Sequence, residues 1–105
     1  MQENELISVY ITFKNEDDAE KICKVLLDQK LIACANLYPI KSMYWWKGEI
    51  ESSSEFASVV KSRFGKWEAI QRIIKELHSY KVPCIVMKKI ETNEAYGDWI
   101  LECLK

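Results

Sequence analysis

The stretch SMYWWKGEIESSSEF, residues 42–56, predicts a β-hairpin that carries aromatic rings on both of its faces. Lys47-Gly48 forms its tight turn, because glycine adopts a positive φ at little energetic cost. Neighbouring side chains of a strand point to opposite faces, so Tyr44, Trp45 and Trp46 cannot all face one side. One aromatic face can cover the interior of this chain, and the other needs a second partner to cover it.

Length and composition indicate a single small domain with one core. The chain has 105 residues, of which 49% are hydrophobic and 30% charged, and this excludes a disordered chain. A formal net charge of -1 argues against a dedicated nucleic-acid binder. No segment has the length of a membrane span, and the first residues lack the pattern of a secretory leader. No CxxC pair is present, so we expect reduced thiols in a cytoplasmic protein. The cysteines are Cys23, Cys34, Cys84 and Cys103.

Hydrophobic periodicity outside the hairpin predicts the other strands and helices. Alternation predicts a strand over residues 7–13, and Asn15 offers an N-cap to a helix that runs to about Gln29. Pro39 cannot donate to a sheet ladder, so it marks an edge strand or a bulge. On the return strand of the hairpin, the serines at 52–54 suggest an exposed and loosely specified tip. The remaining predicted elements are a helix from Trp67 to near His78, a strand over residues 84–90, and a terminal helix that includes Tyr96, Trp99, Ile100 and Cys103.

This order of elements predicts an α+β fold over residues 1–105, a ferredoxin-like split βαβ sandwich (βαββαβ plus a C-terminal helix). In such a fold one helical layer covers one face of the sheet and leaves the other face bare. The hairpin of the second and third strands is also longer than the helices can cover. A large apolar surface usually marks an interface. We therefore expect copies of the same chain to bury the bare face and one aromatic face of the hairpin.

Three segments resemble the CutA divalent-cation tolerance family, and together they cover most of the chain. They are KLIACANLYPIKSMYWWKGEIESSSEFASVVKS (30–62), ELHSYKVPCIV (76–86) and YGDWI (96–100). The family often has HP where this chain has His78-Ser79. The resemblance implies a ferredoxin-like protomer in a tight homotrimer whose sheets face inward. It also implies architectural kinship to the PII signalling proteins and a role in tolerance of divalent metal ions such as copper.

Glu55 and Lys61 are candidate site residues, because their even separation places them on one face of the third strand. Both match positions where the family keeps polar residues. Two interpretations remain open: an ion pair at a subunit boundary, or the polar lining of a pocket between subunits with Tyr80 and Trp46 as its walls. A pocket with both signs of charge suits a small polar molecule or an ion better than a lipid or a nucleic acid.

His78 is the only histidine and the candidate metal ligand. It lies at the predicted end of the second helix, so one interpretation is a structural or capping role. The other is that it joins Tyr80 in the pocket and helps to bind Cu, Zn or another divalent ion. No HxxxH, CxxC or carboxylate cluster accompanies it, so further ligands would come from neighbouring subunits. The family resemblance fixes no ligand set.

Motifs of catalysis and of nucleic-acid binding are absent. The chain has no GxSxG, P-loop, GxGxxG or HExxH. The loop after the first strand, FKNEDDAE, is too acidic for the anion site of an acylphosphatase, and the first and third strands lack the basic and aromatic residues of an RNA-recognition fold. We expect a non-catalytic homotrimer that binds a metal ion or small effector between subunits. The alternative is a trimeric scaffold that engages another protein.

Overall fold

A computed structural model describes all 105 residues of the chain as one sheet with three α-helices. The strands are β1 (Leu6–Phe13), β2 (Cys34–Trp46), β3 (Glu49–Arg63) and β4 (Ile85–Lys89), and the helices are α1 (Glu16–Asp28), α2 (Trp67–Leu77) and α3 (Glu94–Cys103). Each element has the type and order predicted from the sequence. No helix combines the length and the apolar character that crossing a membrane requires.

The sheet has the order β2-β3-β1-β4, and every neighbouring pair of strands is antiparallel. Helix α1 carries the chain from β1 past β3 to the edge strand β2, and α2 carries it from β3 across β1 to the other edge strand, β4. This is the predicted split βαβ arrangement. Pro39 lies in β2, where its missing N–H can face the open edge of the sheet.

The core lies between the sheet and the helices α1 and α2. Alternation turns the odd-numbered residues of β1 toward this core, and each helix adds one apolar stripe. Burying a large aliphatic or aromatic side chain stabilises the folded state by about 1.5–3 kcal/mol. The packing of these apolar stripes on the sheet therefore holds both helices in position. The fully buried residues of β1 are Ile7, Val9, Ile11 and Phe13.

The opposite face of the sheet is partly covered by α3, and the prediction of a fully bare face is wrong in this respect. The Tyr96 hydroxyl lies 3.2 Å from the thiol of Cys34. A Cβ at Gly97 would lie 3.1 Å from Leu6, so helix and sheet approach closely. Ile100 is fully buried, which gives the physical reason: the apolar side of α3 needs a surface, and the end of this face supplies it.

Strands β2 and β3 form one uninterrupted hairpin. Lys47 and Gly48 have φ values of 50° and 81°, and two positive φ values in succession are the signature of a type I′ turn. Ser52–Ser54 pair in register with Lys41–Met43, so the loosely specified tip predicted from the serines is wrong. A sheet ladder needs only backbone donors and acceptors, and serine side chains do not interrupt it.

The aromatic residues near the turn are exposed in the single chain. Trp45 is 73% exposed and Trp46 58%, and the two rings lie on opposite faces of the hairpin, as predicted. The chain measures 44 Å along its longest axis and 24 Å across. Most of the surface of each tryptophan is therefore left uncovered in the single chain.

The N-cap of α1 provides a test of how local sequence directs the fold. The Asn15 side chain accepts a hydrogen bond from the Asp18 N–H at 2.9 Å, as predicted. We expect Asn15→Ala to lower the free energy of unfolding by about 1 kcal/mol, measured by urea denaturation, because one N–H of the first turn loses its acceptor. Asn15→Asp keeps an acceptor and should match the wild type. Equal stability of Asn15→Ala and Asn15→Asp would contradict the cap.

Candidate functional site

The segment that follows α2 is fastened to the end of β1 by His78. Helix α2 ends at Leu77, and His78 is its C-cap in an extended conformation. The imidazole stacks on Phe13 with ring centroids 5.3 Å apart. Its Nε2 lies 2.7 Å from the carbonyl oxygen of Thr12. The segment is therefore held at a defined place beside the sheet.

Both ring nitrogens of His78 are engaged in hydrogen bonds. The backbone N–H of Tyr80 donates to Nδ1 at 3.0 Å, so Nδ1 carries no proton. Nε2 then carries the proton of the neutral ring and donates it to the Thr12 carbonyl. A metal ion would have to displace one of these hydrogen bonds to reach either nitrogen.

Tyr80 joins this segment to β3. Its hydroxyl donates a hydrogen bond to Oε2 of Glu55, which lies on the sheet face opposite α1 and α2 and is only 9% exposed. Burial raises the pKa of Tyr80, and the hydrogen bond to the Glu55 carboxylate raises that pKa further. The phenol therefore keeps its proton, and remains a donor to the carboxylate, at pH values where a free tyrosine begins to ionise.

Tyrosine and aliphatic side chains surround Glu55. Ile40 lies directly across from it on β2, and Tyr38 lies two residues along the same face. Burial raises the pKa of Tyr10 on β1, and the nearby Tyr38 adds to that effect. Ala57, next to Glu55 on this face, is fully buried. Charge interactions at Glu55 are therefore stronger than on an open surface.

Trp46 and Lys61 lie on this face too, but far from the cluster. Trp46 is near the hairpin turn and Lys61 is near α3, each six residues along the strands from the level of Glu55. Six strand residues span about 20 Å. One chain thus joins Glu55 to Tyr80 and His78 only. A pocket that contains all five predicted residues requires further subunits, because Trp46 and Lys61 lie on opposite sides of Glu55 along the strands, and it stays a prediction.

A second polar contact lies beside Lys61 at the α3 end of the face. The hydrogen bond between Tyr96 and the Cys34 thiol, together with burial, raises the pKa of Tyr96 to about 12. Tyr96 also stacks on Trp99, with ring centroids 5.6 Å apart. Cys34 lies directly across from Lys61. The lysine therefore has neutral neighbours on this side.

Sequence reasoning missed four partners in the site. Tyr10 and Tyr38 share a face with the carboxylate, and this follows from side-chain alternation once the strand register is known. Thr12 and Phe13 hold the His78 ring. Those contacts leave no sequence signal, because they depend on the path of an irregular segment through space.

The residues of one chain do not fit a resident metal ion. No group of three His, Cys, Asp or Glu side chains lies close enough together to hold one. Both nitrogens of His78 already have hydrogen-bond partners. The donors for a divalent ion would have to be assembled from more than one subunit.

Comparisons with known proteins agree on one family. The family model for the CutA1 divalent ion tolerance protein matches residues 7–103. The divalent-cation tolerance proteins CutA of Archaeoglobus fulgidus and Pyrococcus horikoshii are each 44% identical to this chain over 98 residues, which cover 92% of this chain and 96% of each relative. The solved structure of the periplasmic divalent cation tolerance protein CutA from Archaeoglobus fulgidus matches with a TM-score of 0.92 at 42% identity, over 95% of this chain and 99% of that one. The crystal structure of CutA1 from Pyrococcus horikoshii gives a TM-score of 0.91 at 43% identity, over 94% and 98%.

Removing the Tyr80 hydroxyl tests the cluster. Tyr80→Phe is expected to lower the free energy of unfolding by about 1–3 kcal/mol near pH 7, because a buried carboxylate loses its donor. Tyr44→Phe is the matched control, since it removes an exposed hydroxyl that contacts Ser53 at 3.2 Å. Chemical denaturation of both variants measures the difference.

The same two variants should also differ in how their free energy of unfolding depends on pH. The pKa of folded Tyr80 lies above the usual value of 10.0, so its contribution to stability is complete below that pH and is lost as the pH rises beyond it. Between about pH 9 and pH 11, the wild type and Tyr44→Phe should lose more stability than Tyr80→Phe. Parallel pH profiles for all three proteins would contradict the assignment.

Proposed function

This chain belongs to the CutA1 divalent ion tolerance family, and we propose that it acts in tolerance of divalent metal ions, copper among them, as a homotrimer that binds a small charged ligand between subunits. The ligand is a metal ion or a small effector. The observation that carries the proposal is the polar cluster of the buried Glu55 with the half-buried Tyr80 and His78, at the margin of the part of the sheet face that α3 leaves uncovered.

Exposed apolar side chains on that face support assembly. Val86 is 54% exposed, Tyr38 38% and Trp46 58%, and all three lie on the face opposite α1 and α2. Stable interfaces between subunits bury surfaces of this kind. Contact between unlike patches of neighbouring chains can close into a ring. Three is the number of subunits that the family resemblance implies.

The site then lies between subunits. Glu55, Tyr80 and His78 come from one chain, and Lys61 and Trp46 come from the surfaces that adjoining chains bring to it. Carboxylate, ammonium, phenol and indole groups together suit a small polar ligand. The family kinship to PII proteins, which bind effectors between subunits, supports the same arrangement.

The proposal includes no catalytic step and places the protein in the cytoplasm. No nucleophile–base pair is present among the hydrogen bonds of the cluster, where each group serves to position another. The four cysteines are free, as is usual in a reducing compartment.

A scaffold role is the second candidate function, and the outer face of the hairpin favours it. Met43 and Trp45 are each 73% exposed and Ile50 is 63% exposed. They lie together on the hairpin face that is continuous with the helical side of the sheet. Such a surface fits a partner protein. Saturable binding of a small ligand distinguishes the two functions, because a scaffold requires none.

The assembly is tested first on the wild-type protein. Sedimentation and native mass spectrometry at low micromolar concentration are expected to show a species of three chains of 12.3 kDa each. Native mass spectrometry of protein purified from its source without a metal-affinity step should also show any ligand that is retained. A folded single chain as the main species would refute the homotrimer.

Trp46→Ala is expected to weaken this assembly while the circular-dichroism spectrum of the folded chain is retained. Truncating a fully buried tryptophan costs about 3–5 kcal/mol, and here that cost would fall on the interface. Trp46→Phe keeps an aromatic ring and should weaken assembly less. An unchanged dissociation curve for Trp46→Ala would show that this side chain lies outside the interface.

Titration with Cu or Zn tests how the ligand is held. Because both His78 nitrogens have partners, His78 acts on the site only through Tyr80, and we expect His78→Ala to lower the affinity for either ion by less than tenfold while it melts at a lower temperature. A metal affinity that falls tenfold or more in His78→Ala, about 1.4 kcal/mol, would instead make His78 a ligand.

A further inference from the structure

Glu55 is a buried carboxylate without a cation in its own chain. Its residue is 9% exposed, and Oε2 accepts the hydrogen bond from Tyr80. Neither carboxylate oxygen takes part in an ion pair. The ion pairs of the chain join Lys14 to Asp18, Lys89 to Glu5 and Lys105 to Glu102. A buried charge is costly unless a charge of opposite sign or several hydrogen bonds compensate it, and a single phenol compensates only in part.

Lys61, on the same strand, is a cation without a carboxylate partner in its own chain. Its side chain is half-buried and takes part in none of the ion pairs. Its cross-strand neighbours on this face are Cys34 on β2 and Ser8 on β1, both of them uncharged. Ser8 is only 7% exposed, so the lysine stem lies over a covered part of the sheet. The ammonium group therefore lacks a carboxylate.

These two groups cannot compensate each other within one chain. Glu55 and Lys61 point from the same face of β3 but are six residues apart, about 20 Å along the strand. A second copy of the chain can bring them together. In a head-to-tail ring each subunit offers Glu55 to one neighbour and Lys61 to the other, so every charge is used once and the ring closes.

Another lysine on this face is a poorer partner. Lys88 of β4 lies across Ser8 from Lys61, but it is exposed, so water already solvates its ammonium group. Pairing an exposed lysine contributes little free energy, whereas pairing a half-buried one removes the cost of an uncompensated charge. Lys61 is therefore the better match to a buried carboxylate.

We infer that Glu55 of each subunit forms an ion pair with the Lys61 ammonium of the adjacent subunit, an inference that rests on the proposed homotrimer. The pair fixes the offset between neighbouring sheets along the strand direction. Glu55 and Lys61 of one chain are about 20 Å apart, or six residues, so pairing each with the adjacent chain sets that offset. Tyr80 holds the carboxylate, and His78 holds the backbone of Tyr80. These two are positioning residues for the contact between subunits.

Charge reversal tests the pair. Glu55→Lys and Lys61→Glu each place like charges at every interface. Each single variant is expected to raise the protein concentration of half-dissociation by on the order of tenfold or more. The double variant restores opposite charges and should recover most of that loss. Lys88→Glu is the matched control, with the same change of charge on the same face, and should dissociate as the wild type does.

Mixing the two single variants tests whether the pair joins different chains. In a mixed trimer of Glu55→Lys and Lys61→Glu subunits, two of the three interfaces regain opposite charges. Native mass spectrometry of the co-refolded chains, one of them carrying a mass tag, should show mixed trimers well above the statistical share. A statistical distribution would overturn the inference.

Other outcomes separate this inference from the proposed function. A stable wild-type trimer with additive effects of the two reversals refutes the pair and leaves the homotrimer standing. Lys61→Glu with wild-type dissociation beside a destabilised Glu55→Lys also refutes it, because Glu55 would then act through its own chain and not through Lys61. A monomeric wild-type protein refutes both the pair and the homotrimer.

Discussion

Side-chain alternation along β3 is the constraint on which the rest of this structure depends. The strand pairs with β1 along its second half and with β2 from Glu49 to Lys61, so its register fixes the faces of both neighbours. From Phe56 onward, the even-numbered residues of β3 face the core under α1 and α2. Odd-numbered residues, among them Glu55 and Lys61, are placed on the opposite face. A shift of one residue would bury both charges under the helices, so the core and the candidate site are specified together.

The periodicity of the sequence was sufficient for the elements and the sheet, and insufficient for the irregular parts. The helix that starts after Asn15 and the strand at 7–13 follow from local capping and alternation, which do not depend on distant contacts. The position of α3 on the second sheet face could not be predicted in this way. The pattern of an amphipathic helix shows which of its sides is apolar, but not which surface that side packs against. The serines at 52–54 misled for a related reason: their weak strand propensity is overridden by pairing with β2 on the same hairpin.

His78 shows why residue type alone is a poor guide to a site. A single histidine in the sequence suggests a metal ligand, since imidazole is a common donor. In the folded chain the ring accepts from one backbone N–H and donates to one backbone carbonyl. Its stacking on Phe13 closes the remaining approach from the core side. A neutral imidazole has one nitrogen that accepts and one that donates, so it can bind a metal ion or can join two backbone segments by hydrogen bonds.

In the proposed homotrimer, assembly and the site would be physically coupled through the hairpin. Glu55 lies where the paired strands leave the body of the protein, directly across from Ile40, and beyond that point β2 and β3 have only each other as neighbours. A two-stranded ribbon is marginally stable in water, and Trp45 and Trp46 near its turn are exposed in the single chain, so a subunit that covered them would stabilise it. Tyr80 fixes the root of the ribbon through Glu55. Any group that binds this carboxylate from a neighbouring chain therefore stabilises both the root and the docked tip, and linkage requires that docking strengthen that binding in return.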